Sequence, residues 1–288
     1  MSVAESPHNV SIQNMDTPVL TISGREGSKE GELSGPVDVA VDKDGNTAVL
    51  ENGNKRVQVF DARTGQSLRC FPVDGEDHWG IDVDSDGQYI VTSQNLSGTG
   101  KQAISVYSRE GELRKTLKPE FLGDPLGVAV LKDGRMVVAD RTANSQFSCL
   151  LLQPDGSLIR EIGKGQFLNF PWFIAVDDSR DLLFVTDFYD HKVHVYDLEG
   201  NLKVSFGKEG ENEGELLNPS GITFDPTGNI IVVNYDNNRL QVFKAGGTYL
   251  RTVAIVRGKE PTGITLTPDG HIAVACFAGH CVELYRYK

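Results

Sequence analysis

Six histidines, four cysteines and 40 acidic residues are the groups in this 288-residue chain that could ligate a metal or move a proton. A catalytic metal centre needs about three of them to converge. His8, His78, His191, His194, His271 and His280 occupy unlike places in the strand pattern described below. His78 starts an inner strand, His191 and His280 lie in loops, His194 is mid-strand, and His271 follows a turn on the opposite face. They are not expected to meet. Cys70, Cys149, Cys276 and Cys281 lack the paired C-x₂-C spacing of a structural zinc site and are too few for a disulfide scaffold. Cys276 and Cys281 flank a four-residue loop and could face each other, but in a reducing compartment they read as buried thiols. Asp38 and Asp82 are the acids placed nearest a central channel. Two carboxylates fall short of the roughly six oxygens that calcium takes, and the structural expectation is that each accepts neighbouring backbone N–H groups. Asp84-Ser85-Asp86-Gly87 resembles part of a calcium loop but lacks the glutamate at its twelfth position, so it reads as a turn. With no serine or lysine nucleophile signature either, the expectation is no catalytic residue, no metal and no cofactor.

Charge narrows the partners. Acidic residues exceed the 28 basic ones, for a net charge of −12, which repels a phosphate backbone unless basic groups gather on one face. No apolar run reaches the ~20 residues that span a bilayer as a helix. The start, MSVAESPHNV, has neither a basic nor an apolar signal region, and a cytoplasmic, membrane-free protein is expected.

The elements that must position these residues come from a repeat. Six segments begin alike: Pro36-Val37-Asp38-Val39-Ala40-Val41, His78-Trp79-Gly80-Ile81-Asp82-Val83, Pro125-Leu126-Gly127-Val128-Ala129-Val130, Pro171-Trp172-Phe173-Ile174-Ala175-Val176, Pro219-Ser220-Gly221-Ile222-Thr223-Phe224 and Pro261-Thr262-Gly263-Ile264-Thr265-Leu266. They recur every 42 to 48 residues. Each leads to a turn, four times Asp-Gly or its like (Asp44-Gly45, Asp86-Gly87, Asp133-Gly134, Asp269-Gly270), where glycine supplies a positive φ without steric cost. A second apolar run, a polar loop, a third run and a fourth strand follow, and no stretch has helical period. Four antiparallel strands repeated six times make an all-β, six-bladed β-propeller. The sixth repeat stops after its third strand, while residues 19–22 match the fourth strand of another blade. They are expected to complete blade six and close the ring. Residues 1–15 are expected to be a flexible N-terminus and residues 16–288 one propeller.

The loop between second and third strands reads Glu51-Asn52-Gly53-Asn54-Lys55-Arg56-Val57-Gln58 in blade one, Asp187 to His194 in blade four, and Asn234-Tyr235-Asp236-Asn237-Asn238-Arg239-Leu240-Gln241 in blade five. This resembles the NHL repeat, V-x-D-x-x-N-[HN]-R-[LIV]-Q-[VI]-F. The acid or amide and the cation five positions later are expected to bond across the hairpin. Blade two departs, with Ser93 in the acidic place and an insertion, as do blades three and six, with Gln146 and Cys281 in place of the cation. In overall style the chain resembles the NHL domain of tripartite-motif ubiquitin ligases.

That resemblance implies a non-catalytic recognition module, the substrate-targeting end of a tripartite-motif ligase, binding a protein or peptide on the propeller's top face. The top is where the loops joining fourth to first strands (d–a) and second to third strands (b–c) emerge. An alternative is a single-stranded RNA-binding NHL domain in post-transcriptional repression, through Lys55, Arg56, Lys101, Arg141, Lys192 and Arg239. Against it, the d–a loops carry a net −6 and the b–c loops +1. A distant alternative is a metal-dependent propeller hydrolase or lyase. The residues after each strand-a start, Val37, Trp79, Leu126, Trp172, Ser220 and Thr262, should ring the channel mouth, bulky on the tryptophan side and open beside Ser220 and Thr262. Trp79 and Trp172, with Phe188, Tyr189, Tyr235 and Phe277 in b–c loops, are the expected partner anchors. Phe121, Phe167 and Phe170 lie in d–a loops.

Overall fold

A computed structural model describes residues 17–95, 102–141, 147–165 and 168–287. They form six four-stranded antiparallel sheets and no helix. Blade four shows the pattern: strands a (Pro171–Asp177), b (Leu182–Asp187), c (Lys192–Asp197) and d (Leu202–Phe206). Strands b and c are almost wholly buried and read as continuous apolar runs, whereas strand d alternates or is exposed. This gradient follows from the architecture, since inner strands are covered by neighbouring blades on both faces and the outer strand is not. The inner strand of each blade lies against that of the next, and blade six lies against blade one.

The ring closes as the repeat requires. Leu20–Ser23 pairs antiparallel with Cys281–Arg286, Leu20 opposite Leu284 and Ser23 opposite Cys281, so the outer strand of blade six comes from the other end of the chain. Ile22 is buried among Val39, Val49, Phe60, Ala273, Val282 and Leu284. Residues 1–16, and with them the expected flexible N-terminus, lie outside the described residues.

Two local devices repeat. In blades one, two, four and five the a–b turn is pinned by an aspartate: Asp42 accepts N–H bonds from Asp44 and Asn46, both at 2.9 Å, while Gly45 takes φ +83°. This is the Asx-turn chemistry behind the Asp-Gly signal. Each a–b ladder also slips just after its start, at Pro36, His78, Pro125, Pro171, Pro219 and Pro261. A bulge re-aims the side chains it contains, and here these include Trp79, Leu126 and Trp172.

Candidate functional site at the top of the propeller

The bulges bring the two tryptophans together although they come from blades two and four. Their ring centroids lie 5.7 Å apart at 65°, above Leu126 of the intervening blade. Trp172 then meets Phe188 at 4.8 Å, Phe170 at 6.1 Å and Tyr235 at 6.0 Å. Tyr189 sits against Phe170 and Phe188, Phe147 against Phe170, and Phe188 against Tyr235. Most of these contacts are edge-on, the arrangement that ring quadrupoles favour. A cavity of about 140 Å³ opens between Trp79, Leu126, Phe147, Phe170 and Trp172, with Asp77, Gln94, Asp124 and Arg141 on its rim.

The tryptophans differ in role. Trp79 is half-buried, and its indole N–H donates to Asp77 at 3.2 Å. Trp172 is only 8% exposed and belongs to the core between blades. Its indole N–H is buried without an acceptor. Tyr189 is the exposed member of the cluster, and Tyr235 is half-buried. Burial, with Glu260 and Asp236 nearby, pushes the Tyr235 phenol up to about 12. Phe277 does not join the cluster. It packs on blade one, against the core around Val37 and close to Gly35.

The mouth is asymmetric, but its opening is not beside Ser220 and Thr262. Both are buried, and the Ser220 hydroxyl donates to Pro261 O at 3.0 Å. The inner strands approach as closely there as on the tryptophan side, a Cβ on Gly221 meeting the Thr262 carbonyl and one on Gly127 the Trp172 carbonyl, so the difference lies in the side chains. The bulky side keeps the gap, because two indoles and a phenylalanine cannot collapse onto Leu126. Asp77 and Asp124 fall in d–a loops whose charge places them on the top face, but neither they nor Phe147 are among the expected anchors. Phe170 carried a signal as a d–a loop aromatic. Phe167 lies outside the described residues.

Most of the basic residues on this face are engaged in the fold. Arg56 bonds Glu51 at 2.6 Å and donates to the carbonyls of Ser28, Lys29 and Glu32, tying down the loop before blade one. Arg141 pairs with Asp124, Lys192 with Asp190 at 2.9 Å, and Arg239 donates to Glu211 O at 2.6 Å. Lys55 is exposed, and Lys101 lies outside the described residues. The expected acid–cation bond across the b–c hairpin therefore holds in blade one only. Elsewhere the residue ending strand b accepts backbone N–H groups of the incoming d–a loop: Asp140 from Gly123, Asp187 from Asn169 and Phe170, Asn234 from Leu217. These side chains are fully buried, and a buried carboxylate needs donors at both oxygens, which loop amides supply at closer range than a long cation. Burial pushes Asp140 up to about 7 despite the Gly123 bond.

Below the mouth, a channel cavity of about 170 Å³ is lined by Asp38, Asp82, Phe173, Thr223 and Thr265 among others, with no histidine among the described residues. Asp38 accepts from Val39 N and Ile81 N, both at 2.9 Å, and Asp82 from Val83 N and Val130 N. They staple each inner strand to the next blade, as expected for channel aspartates. Burial raises both, Asp38 well above the usual carboxylate range and Asp82 to about 6. Cys276 and Cys281 are directly opposed in the blade-six hairpin and are free thiols. The bond between them and their burial push the Cys276 thiol well up, which makes it a poor nucleophile.

Comparison with known proteins follows the same lines. The NHL repeat family matches residues 33–60, 168–196 and 216–243, which fall in blades one, four and five. The E3 ubiquitin-protein ligase TRIM32 of Homo sapiens is 26% identical over 92% of this chain and 44% of its own length. The protein brain tumor of Drosophila melanogaster is 29% identical over 38% of this chain and 11% of its own. The chain thus spans less than half the length of these curated relatives. Among solved structures, a streptogramin B lyase superposes with a TM-score of 0.66 at 16% identity, covering 90% of this chain and 97% of that one. A gluconolactonase from Xanthomonas campestris gives 0.71 at 15%, covering 90% and 88%. At such identity these last two speak to the fold alone. With the ring closed by the strand Leu20–Ser23, the chain is a six-bladed β-propeller with NHL repeats matched in blades one, four and five, and it resembles the NHL domain of tripartite-motif proteins.

Proposed function

We propose that this chain is a non-catalytic recognition module that takes a segment of a protein partner into the aromatic pocket on its top face. We further propose that it serves as the substrate-targeting part of a tripartite-motif ubiquitin ligase working in the cytoplasm. The observation that carries the reading is the pocket itself. Rigid aromatic walls and a rim of Asp77, Asp124 and Arg141 suit an apolar or aromatic side chain. Aromatic anchors around a desolvated pocket are where interface energy concentrates. Trp79, Trp172, Phe188, Tyr189 and Tyr235 are the proposed contact residues, with Phe170 and Phe147 added and Phe277 peripheral. Ubiquitin-protein ligases among the relatives support the wider role. No helix among the described residues is long and apolar enough to cross a membrane.

RNA recognition is the weaker alternative. Four of the six candidate cations are committed to ion pairs or loop carbonyls, and non-specific affinity scales with free cations. A peptide-display selection on the folded chain tests the proposal. It should enrich sequences with an aromatic or bulky apolar residue, and their binding should fall at least tenfold in Trp79→Ala and Phe170→Ala. Enrichment indifferent to both substitutions would refute it. So would submicromolar, sequence-selective binding of single-stranded RNA at ~150 mM salt, well beyond the ~10⁻⁴–10⁻⁶ M of non-specific contacts.

A further inference from the structure

Blade four breaks the repeat at positions that blades one and five keep. Where blade one has Glu51, Asn54 and Gln58, and blade five Asn234, Asn237 and Gln241, blade four has Asp187, Asp190 and His194. In blade one the amides knit the cluster together. Asn54 Nδ2 donates to Glu51 at 2.6 Å and to Gly27 O at 2.9 Å, and Gln58 Nε2 donates to Glu51 at 3.3 Å and Glu32 O at 3.1 Å. In blade five the amides of Asn234 and Gln241 meet at 2.9 Å, and Asn237 donates to Gly210 O at 2.9 Å. Blade four has lost those donors. A second carboxylate now stands beside the first, and an imidazole faces both.

His194 is 6% exposed. Its Nδ1 is 2.7 Å from Ser205 Oγ, which fixes the ring, and its Nε2 is buried without a hydrogen bond. That Nε2 points at the carboxylates, 3.6 Å from Asp187 Oδ2 and 3.6 Å from Asp190 Oδ2. The three ligand atoms lie within 4.8 Å of one another. A separation of 3.6 Å is too long for an N–H···O bond, which falls at ~2.7–3.2 Å. It is close to the ligand–ligand edge of a tetrahedral ion with bonds of ~2.0–2.2 Å, about 3.3–3.6 Å. Supporting bonds resemble those that orient metal ligands elsewhere: Ser205 on the far side of the imidazole, and the Asn169 and Phe170 amides on Asp187, both at 2.7 Å. Lys192 Nζ pairs with Asp190 at 2.9 Å from a partly exposed side chain, and an arriving ion competes with it for that carboxylate.

We propose that Asp187, Asp190 and His194 form a site for a divalent transition-metal ion of the zinc class, with a coordination position left open. Two carboxylates match the ion's charge, and the imidazole selects zinc-like ions over calcium or magnesium. The Asp190 loop also carries Phe188 and Tyr189, so the bound ion stiffens one wall of the aromatic cluster. Histidines converging on the channel would have marked a metal centre in the sequence, and none do. This set uses one histidine and lies on the blade's own hairpin.

Calorimetric titration of the full chain with zinc chloride at neutral pH tests this. The wild type should take up one zinc ion per chain at this site, and Asp190→Asn/His194→Gln should lose that event with at least a tenfold fall in affinity. The double variant writes in amides that blades one and five already accommodate, and its melting curve verifies the fold. Should it unfold, His194→Gln alone serves the same comparison. Cobalt in place of zinc should give a visible absorption band in the wild type that is absent from the variant. No zinc uptake, equal uptake by wild type and variant, or displacement of zinc by equimolar calcium would each overturn the assignment.

Discussion

The strand Leu20–Ser23 closes the ring with little material, and that makes it the sharpest test of the architecture. Ile22 is its only fully buried side chain, 1% exposed between blades six and one. Replacing it by alanine removes three methyl-type groups from a site whose walls are strands held on both sides and cannot collapse inward. An isoleucine-to-alanine change in such a core costs ~2–5 kcal/mol, and the rigid surroundings argue for the upper half of that range. Thr21→Ala, one residue away on the exposed face, is the control and should stay within ~0.5 kcal/mol. Deleting residues 1–23 goes further: it removes the ladder from Leu20 to Ser23 and the Val19 N–H bond to Leu284 O at 2.7 Å, leaving the edge of Cys281–Arg286 unpaired. An unpaired apolar edge invites association, so the truncated chain should melt earlier and elute as larger species. Urea midpoints and size-exclusion profiles of the three variants read this out. If Ile22→Ala loses less than about 1 kcal/mol, or the truncation stays monomeric with an unchanged midpoint, the closure argument fails.

Trp172→Ala should cost ~3–5 kcal/mol of stability because the ring is buried between blades, whereas Trp79→Ala should weaken partner capture with a smaller loss; paired melting and binding measurements separate them, and a cost-free Trp172→Ala would contradict its place in the core. Arg56→Ala should lose ~1.5–3 kcal/mol, because the buried Glu51 carboxylate gives up its cation but keeps the donors Ser34 N, Asn54 and Gln58, while Lys192→Ala, at the same repeat position but partly exposed, should move a urea midpoint little. Asp140→Asn, which copies Asn234 of blade five, addresses pH. Folding raises Asp140 to about 7 from ~3.9 in an unfolded chain, so between about pH 4 and 7 the folded state binds more protons and stability falls as pH rises. The wild type should therefore lose melting temperature relative to Asp140→Asn across that window; comparing the two chains cancels His78, whose burial lowers its pKa and acts in the opposite sense. A difference that is flat with pH would refute the buried-acid reading.

The blades could be read from the sequence because each is specified locally. Strand-a starts at Pro36, Pro125, Pro171, Pro219 and Pro261 and the turns at Gly45 and Gly270 depend on φ preferences and apolar runs that need no knowledge of neighbours. The b–c loops were read less well because their polar residues choose between partners in space. Glu51 and Asp187 occupy one repeat position, yet only Glu51 finds its cation across the hairpin, since Arg56 is long enough to reach both the acid and the d–a loop carbonyls. Lys192 offers a single ammonium and turns to Asp190 instead. The top pocket was half visible. Trp79 and Trp172 marked it, but which side would open depended on Ser220 and Thr262 being buried and on the Ser220 hydroxyl bonding to the Pro261 carbonyl.

Repetition also supplies a standard internal to the molecule. Blades that share a residue at a position show what it does when it serves the ring alone, so a side chain that gives up a ring-building bond calls for a different account. By that measure the aromatic departures, and those that place ligand-type groups together, fall close to one another. Phe173 stands where blades two, three, five and six have glycine and blade one has Asp38. Trp79 and Trp172 replace the small or aliphatic residues of the other four bulges. Asp190 and His194 replace hydrogen-bonding amides. All of these belong to blades two and four, and four of the five to blade four, around a cluster whose indole N–H and imidazole Nε2 are both buried without hydrogen bonds. Each forgone bond costs stability, ~1–3 kcal/mol for a buried polar group left unpaired, and blades one and five show that the fold has a ready alternative at His194. Aromatic side chains gathered on one sector of one face, while the opposite sector around Ser220 and Thr262 stays closely packed, are what a binding sector on an otherwise structural ring requires.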